Sequence, residues 1–271
     1  MQPNSSVHRL TIAALLMLAA CGCAKSPVNP SFPLSQSDAK HTLKSMSHNR
    51  KPLDRPVVVL GGYHDPGIGP SAFLAKLRGV VREDDKIISV TYPFSGSFDE
   101  CRRAVVAAVE KKFPSSDAQE TVEVDVIGLS LGGIVARYGA TPRPGETRLR
   151  IRRLFTVSSP HRGAIRASLP AMSQLHRDLR EDSDFLRQLD ASESNSRGYE
   201  IIPYVRLGDW IVGAKNAAPR DTPAAYWVSN PPFQSAHMGA AVDPRILADI
   251  ARRVRDEQPF TTSPPAPLPS K

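Results

Sequence analysis

The chain has 271 residues, 41% of them hydrophobic and 23% charged, a balance that excludes wholesale disorder and a collagen-like fibre and suffices for a sizeable buried core. Its three cysteines, Cys21, Cys23 and Cys101, have neither the number nor the Cys-x-x-Cys spacing of a disulfide framework or a four-thiolate zinc site. The net charge of +8 comes from 35 basic and 27 acidic residues scattered among one another, so no basic block points to nucleic acid and no such partner is expected.

Residues 10–20 (LTIAALLMLAA) are apolar apart from Thr11, follow Arg9 and run directly into Cys21. The run is too short to cross a bilayer, which needs about 20 apolar residues, and has the length of a signal-peptide core. Leu18-Ala19-Ala20-Cys21 resembles the bacterial lipobox. That resemblance implies removal of residues 1–20, a lipid anchor on Cys21 and residence in the bacterial cell envelope; Gly22, where an Asp would favour the inner membrane, points to the outer one. Residues 21–50 carry few apolar side chains and include Pro27, Pro30 and Pro33, so a flexible tether is expected there. Residues 257–271 (EQPFTTSPPAPLPSK) read as a disordered tail for the same reason.

Between these, residues 51–256 alternate short β-branched runs with helical patterns. Strands are predicted at 57–60 (VVVL), 87–92 (IISVTY), 122–127 (VEVDVI), 153–157 (RLFTV), 202–207 (IPYVRL) and 225–228 (AYWV). Helices are predicted at 71–81, 99–113, 131–138 and 244–255, the last with Ile246, Leu247, Ile250 and Val254 on one face. The rhythm is that of an α/β domain, a mostly parallel sheet flanked by helices on both faces. Residues 160–199 are too long for a plain connection and read as a helical insertion, with Leu169, Met172, Leu175, Leu179, Phe185, Leu186 and Leu189 at roughly helical spacing. The insertion is expected to form a pocket wall or lid, unless those residues simply face the core.

Gly128-Leu129-Ser130-Leu131-Gly132 is a G-x-S-x-G pattern set between a predicted strand and a predicted helix, the setting of a nucleophile elbow. The glycines allow a sharp turn that lifts the serine hydroxyl clear of the sheet. A hydroxyl is a weak nucleophile near neutral pH and needs a base, which in turn needs an acid to fix its tautomer. Three histidines follow Ser130, namely His161, His176 and His237. His237, after the last strand and before the last helix, is the candidate base. Asp209, at the end of the fifth strand, is the candidate acid, with Asp221 and Asp184 as alternatives. Two backbone N–H donors are needed for the developing oxyanion; Leu131 would provide one and Tyr63, after Gly61-Gly62, the other.

These segments together resemble the lipase and esterase branch of the α/β-hydrolase superfamily over about residues 56–255. VVVLGGY is similar to the family's strand followed by His-Gly-x, VDVIGLSLGGIVARY to its nucleophile segment, LFTVSSPHRGA to its Thr-Pro-His-x-Gly loop and GDWIVG to its acid-bearing segment. The resemblance implies Ser130 as nucleophile, Asp209 as acid, His237 as base, Tyr63 and Leu131 as the oxyanion hole, His161 as a structural residue and no cofactor. Gly61 and Leu129 depart from the pattern, each standing where the family commonly has His.

The expected activity is therefore hydrolysis of a carboxylic ester or lipid through an acyl-enzyme. Acyl transfer on the same triad, and a binding lipoprotein that has kept the fold without turnover, are the alternatives.

Overall fold

The computed structural model describes residues 26–82, 84–170, 173–193 and 197–270. The apolar run at 10–20, Cys21, Cys23 and Met172 lie outside them.

Six strands form one sheet, all parallel: β1 (Val57–Leu60), β2 (Ile87–Val90), β3 (Val124–Leu129), β4 (Ile151–Val157), β5 (Glu200–Arg206) and β6 (Tyr226–Val228), in the order β2-β1-β3-β4-β5-β6. Alternation along the strands sends successive side chains to opposite faces, and both faces are buried. Val57, Val59, Ile127, Phe155 and Tyr204 face one core, against α2 (Ile68–Arg78) and α8 (Pro244–Val254). Val58, Leu60, Val126 and Leu154 face the other, against α3 (Phe98–Lys112) and α4 (Leu131–Ala140).

Two predicted boundaries move for identifiable reasons. β3 runs on through Gly128 and Leu129 because they pair in register with Thr156 and Val157. α2 begins at Ile68, before Pro70, since the first turn of a helix has no need of the proline's missing N–H.

The expected tether is instead largely folded. Phe32 is buried against Tyr204 and Tyr226, with ring centroids 6.1 and 6.5 Å away. Gln36–His48 forms a helix, α1, capped by the Ser35 hydroxyl, which accepts from the Asp38 N–H at 3.1 Å. The Arg255 guanidinium closes its other end by donating to the carbonyls of Met46 and Asn49. Ala39, Leu43 and Met46 lie along one side of α1, Ala39 and Met46 buried and Leu43 partly so, and the helix packs on α8.

The expected disordered tail is also ordered. Asp249 accepts the N–H groups of Phe260 and Thr261, Thr262 N–H donates to Ser31 O at 2.9 Å, and Trp227 Nε1 donates to Pro267 O at 3.0 Å. A Pro-rich composition describes the strap's lack of regular structure correctly, but several of its backbone groups bond to the domain it crosses.

The described part of the insertion contains two α-helices, α5 (Gln174–Asp178) and α6 (Asp184–Glu193), after a short 3-10 turn at Ile165–Ser168. Leu175, Leu179, Leu186 and Leu189 join the second core, so the helical spacing reports core packing. α6 is further tied down by an ion-pair cluster around the fully buried Arg137 of α4. Its guanidinium reaches Glu193 and Asp190 at 2.6 Å each, and Tyr199 donates to the other Glu193 oxygen at 2.6 Å. The described part of the insertion is thus packed onto the second core and tied to α4.

Candidate active site

Ser130 stands between β3 and α4 with φ 50° and ψ −118°, a strained conformation for a residue with a side chain. Its N–H donates to Val157 O at 2.9 Å, fixing the turn to the end of the neighbouring strand. The flanking glycines make this turn possible. A methyl at Gly132 would come within 2.6 Å of Leu60 O, and one at Gly128 would collide with the backbone of Gly133.

The sheet brings the other two predicted residues to the same edge. Gly208, at φ 78°, turns the chain out of β5 and delivers Asp209. One oxygen of its buried carboxylate accepts the N–H groups of Ile211 and Val212 at 3.0 and 3.1 Å, leaving the other for His237 Nδ1 at 2.9 Å. Burial pushes the Asp209 carboxyl up, but the His237 hydrogen bond and charge and the two backbone donors outweigh it, so the group lies below its ordinary range. His237 belongs to the short helix α7 (Ala236–Ala240), and its Nε2 is 3.0 Å from Ser130 Oγ. With Nδ1 donating to the carboxylate, Nε2 is free to accept the serine proton.

The alternatives lie elsewhere. His161 is fully buried, with Nε2 2.9 Å from Thr156 Oγ1 and Nδ1 3.3 Å from Arg137 Nη1. Burial, then the charges of Arg137, Arg197 and Arg162, hold it well below the ordinary histidine value, so the ring is neutral, accepting from Arg137 and donating to Thr156. His176 stands against Tyr63, ring centroids 6.1 Å apart. Asp221 pairs with Arg197 at 2.6 Å and Asp184 with Arg187 at 2.5 Å.

The loop after β1 comes close to the serine, since a methyl at Gly62 would lie 3.5 Å from Ser130 Cβ. Among the described residues, no protein acceptor takes the N–H of Tyr63 or of Leu131, the latter at the start of α4. Two donors and a helix N-terminus are therefore available beside the hydroxyl. The two departures from the resembled pattern both lie in tight surroundings. A side chain at Gly61 would press on Thr91 at 3.1 Å, and Leu129 is buried in the first core.

The sequence matches no protein-family profile and no curated protein. The fold does match solved structures. Aspergillus fumigatus lipase B aligns with a TM-score of 0.55 at 16% identity, over 89% of this chain and 62% of that one. The lin2722 product of Listeria innocua gives 0.51 at 14%, over 73% and 92%; phospholipase PlaB of Legionella pneumophila gives 0.51 at 12%, over 74% and 60%. The chain has the α/β-hydrolase fold. It spans about three fifths of the length of the two larger relatives.

Within the α/β-hydrolase fold, one supporting residue escaped the sequence reading. Arg206, at the end of β5, is buried and donates to Asp243 at 2.7 Å, Gln234 at 3.0 Å and Asn230 at 3.3 Å, groups on both sides of His237. The guanidinium also fills the space where a side chain at Gly239 would go. A charged residue inside the apolar run IIPYVRL was the available signal.

Proposed function

We propose that this chain is a serine hydrolase of carboxylic esters, lipase- or esterase-like, anchored in a bacterial envelope through a lipid on Cys21. The observation that carries the catalytic reading is the unbroken chain Ser130 Oγ, His237 Nε2, His237 Nδ1, Asp209 Oδ2, with separations of 3.0 and 2.9 Å at its two hydrogen bonds. The lipase and phospholipase among the fold's solved relatives agree with it. The anchor reading rests on the lipobox-like sequence alone.

In this mechanism His237 takes the Ser130 proton as Oγ attacks the ester carbonyl, and Asp209 stabilises the imidazolium that forms. The N–H groups of Leu131 and Tyr63 receive the oxyanion, fixed before the reaction and therefore needing no reorganisation. His237 then hands the proton to the departing alkoxide, which leaves as alcohol and a Ser130 acyl ester. Water, deprotonated by the same imidazole, releases the acid and restores the hydroxyl. The test is labelling with a fluorophosphonate followed by peptide mass mapping. An adduct on Ser130, absent from Ser130→Ala, is expected; a folded sample without one defeats the hydrolase reading.

A further inference from the structure

All ten of the large apolar side chains exposed among the described residues lie at the end of the domain where the strands finish and Ser130 sits. Ile68 follows β1, Phe94 follows β2, Leu169 follows β4, Trp210 adjoins Asp209, Phe233 precedes the short helix α7 that carries His237, and Met238 lies in it. Phe94 and Phe233 are essentially fully exposed. The opposite end shows the reverse chemistry, with Arg55, Arg148, Arg150 and Arg153 paired to Glu120, Glu123 and Asp125. Apolar exposure confined to one side of a domain marks a contact surface.

The N-terminal segment identifies the occupant. Asn29 Nδ2 donates to Trp227 O at 2.8 Å, and residues 26–28 line a cavity with residues 229–232, which lead directly to Phe233. Cys21 is five residues before Ser26, at most about 18 Å of extended chain. The lipid proposed on Cys21 would thus enter the bilayer close to the apolar end. At that end Arg166 lies over the Trp210 ring at 4.5 Å, an aromatic surface and a cation together, suited to the headgroup layer.

We propose that the strand-end face around Ser130 is a docking surface for a lipid bilayer, held toward the membrane by the short N-terminal segment beside it. Combined with the ester-hydrolase reading, on which this step depends, the substrate is an acyl lipid of the membrane that carries the enzyme.

The test uses residues 21–271 with Cys21→Ser, which keeps every described contact and removes the acyl group. The chain is mixed with phosphatidylethanolamine–phosphatidylglycerol vesicles containing dibrominated acyl chains. Quenching of Trp210 is expected, and it should vanish in Trp210→Phe because Trp227 is buried. Phe94→Asp combined with Phe233→Asp should lower vesicle binding about tenfold or more, charges being costly in the apolar layer. An unquenched Trp210, or unchanged binding by the double variant, overturns the proposal. Hydrolysis of p-nitrophenyl butyrate without vesicles separates the two readings. A chain active on that ester but unquenched loses the docking face alone, and a quenched chain inert to esters keeps the docking face and loses the hydrolase reading.

Discussion

Arg206 Nε and Asp243 Oδ2 meet at 2.7 Å, with both side chains almost completely excluded from solvent. Asp243 is also held by Arg245 at 2.8 Å and caps α8, while Arg206 reaches Asn230 and Gln234 on the other side of His237. The segment bearing His237, the proposed base, is thus fastened at both ends to one guanidinium at the end of β5.

Replacing Arg206 with Met should displace His237 without removing it. Breaking such a buried pair typically costs about 3–5 kcal/mol when one partner is lost, less here because Asp243 retains Arg245. The expected outcome is a fall in kcat of about 10- to 100-fold, since small misplacements of a catalytic group have that effect, with KM for p-nitrophenyl butyrate nearly unchanged. Steady-state kinetics with urea unfolding on the same sample check it.

Ser130→Ala should lower kcat by about 10⁶ and Asp209→Asn by about 10⁴, the scale seen where a nucleophile or its orienting acid is removed. The urea midpoint of Ser130→Ala should stay near that of the parent, because the hydroxyl bonds to His237 and fills little volume. Activity of Asp209→Asn near the parental level would move the acid role to another carboxylate.

Acid should weaken the fold through two carboxylates in particular. Asp209 and Asp243 are both held below the ordinary value of 3.8, burial being outweighed by His237 with two backbone donors in one case and by Arg245 and Arg206 in the other. Each binds its proton more readily in the unfolded chain, so its stabilising contribution is complete above 3.8 and disappears as pH falls through the lower native value. The stability gap between the parent and Asp243→Asn should therefore be widest near pH 6 and shrink below pH 4, as read from urea midpoints.

Glu193→Ala should destabilise the protein by about 3–5 kcal/mol, because it leaves the buried Arg137 charge with only Asp190 for compensation. Burial drives the Arg137 pKa down, yet the carboxylates, Glu193 foremost, more than restore it, so the guanidinium cannot escape by losing its proton. Denaturant unfolding of the variant measures the loss.

Phe32→Ala should cost about 3–5 kcal/mol, as for other fully packed aromatic side chains, although the surrounding segment looks like a linker. A midpoint unchanged from the parent would show that the N-terminal strap adds nothing to the domain.

The sheet was legible because fully buried parallel strands are written as runs such as VVVL and RLFTV, and Ser130, Asp209 and His237 each follow or precede one in a fixed order. The terminal segments were misread because average composition hides a few well-placed residues. Ser35 with Asp38 three residues later is a helix-start signature, and Ala39, Leu43 and Met46 follow at helical intervals. The tail offered less, since its order comes from backbone bonds to the Asp249 carboxylate inside α8 and to Ser31 near the other end of the chain, neither marked by a local pattern. Arg206 was equally hidden, because its role depends on three groups brought together only by the return of the chain after β6.

The docking of Phe32 and α1 also sets an order of events in synthesis. Phe32 rests on Tyr204 and Tyr226, and α1 on α8, so the segment that leaves the ribosome early has no surface to bind until the last third of the chain exists. Its contacts span almost the whole sequence, with a correspondingly large loop to close. The part of the domain nearest to Cys21 is made first and seated last, and until then the β5–β6 edge stays uncovered.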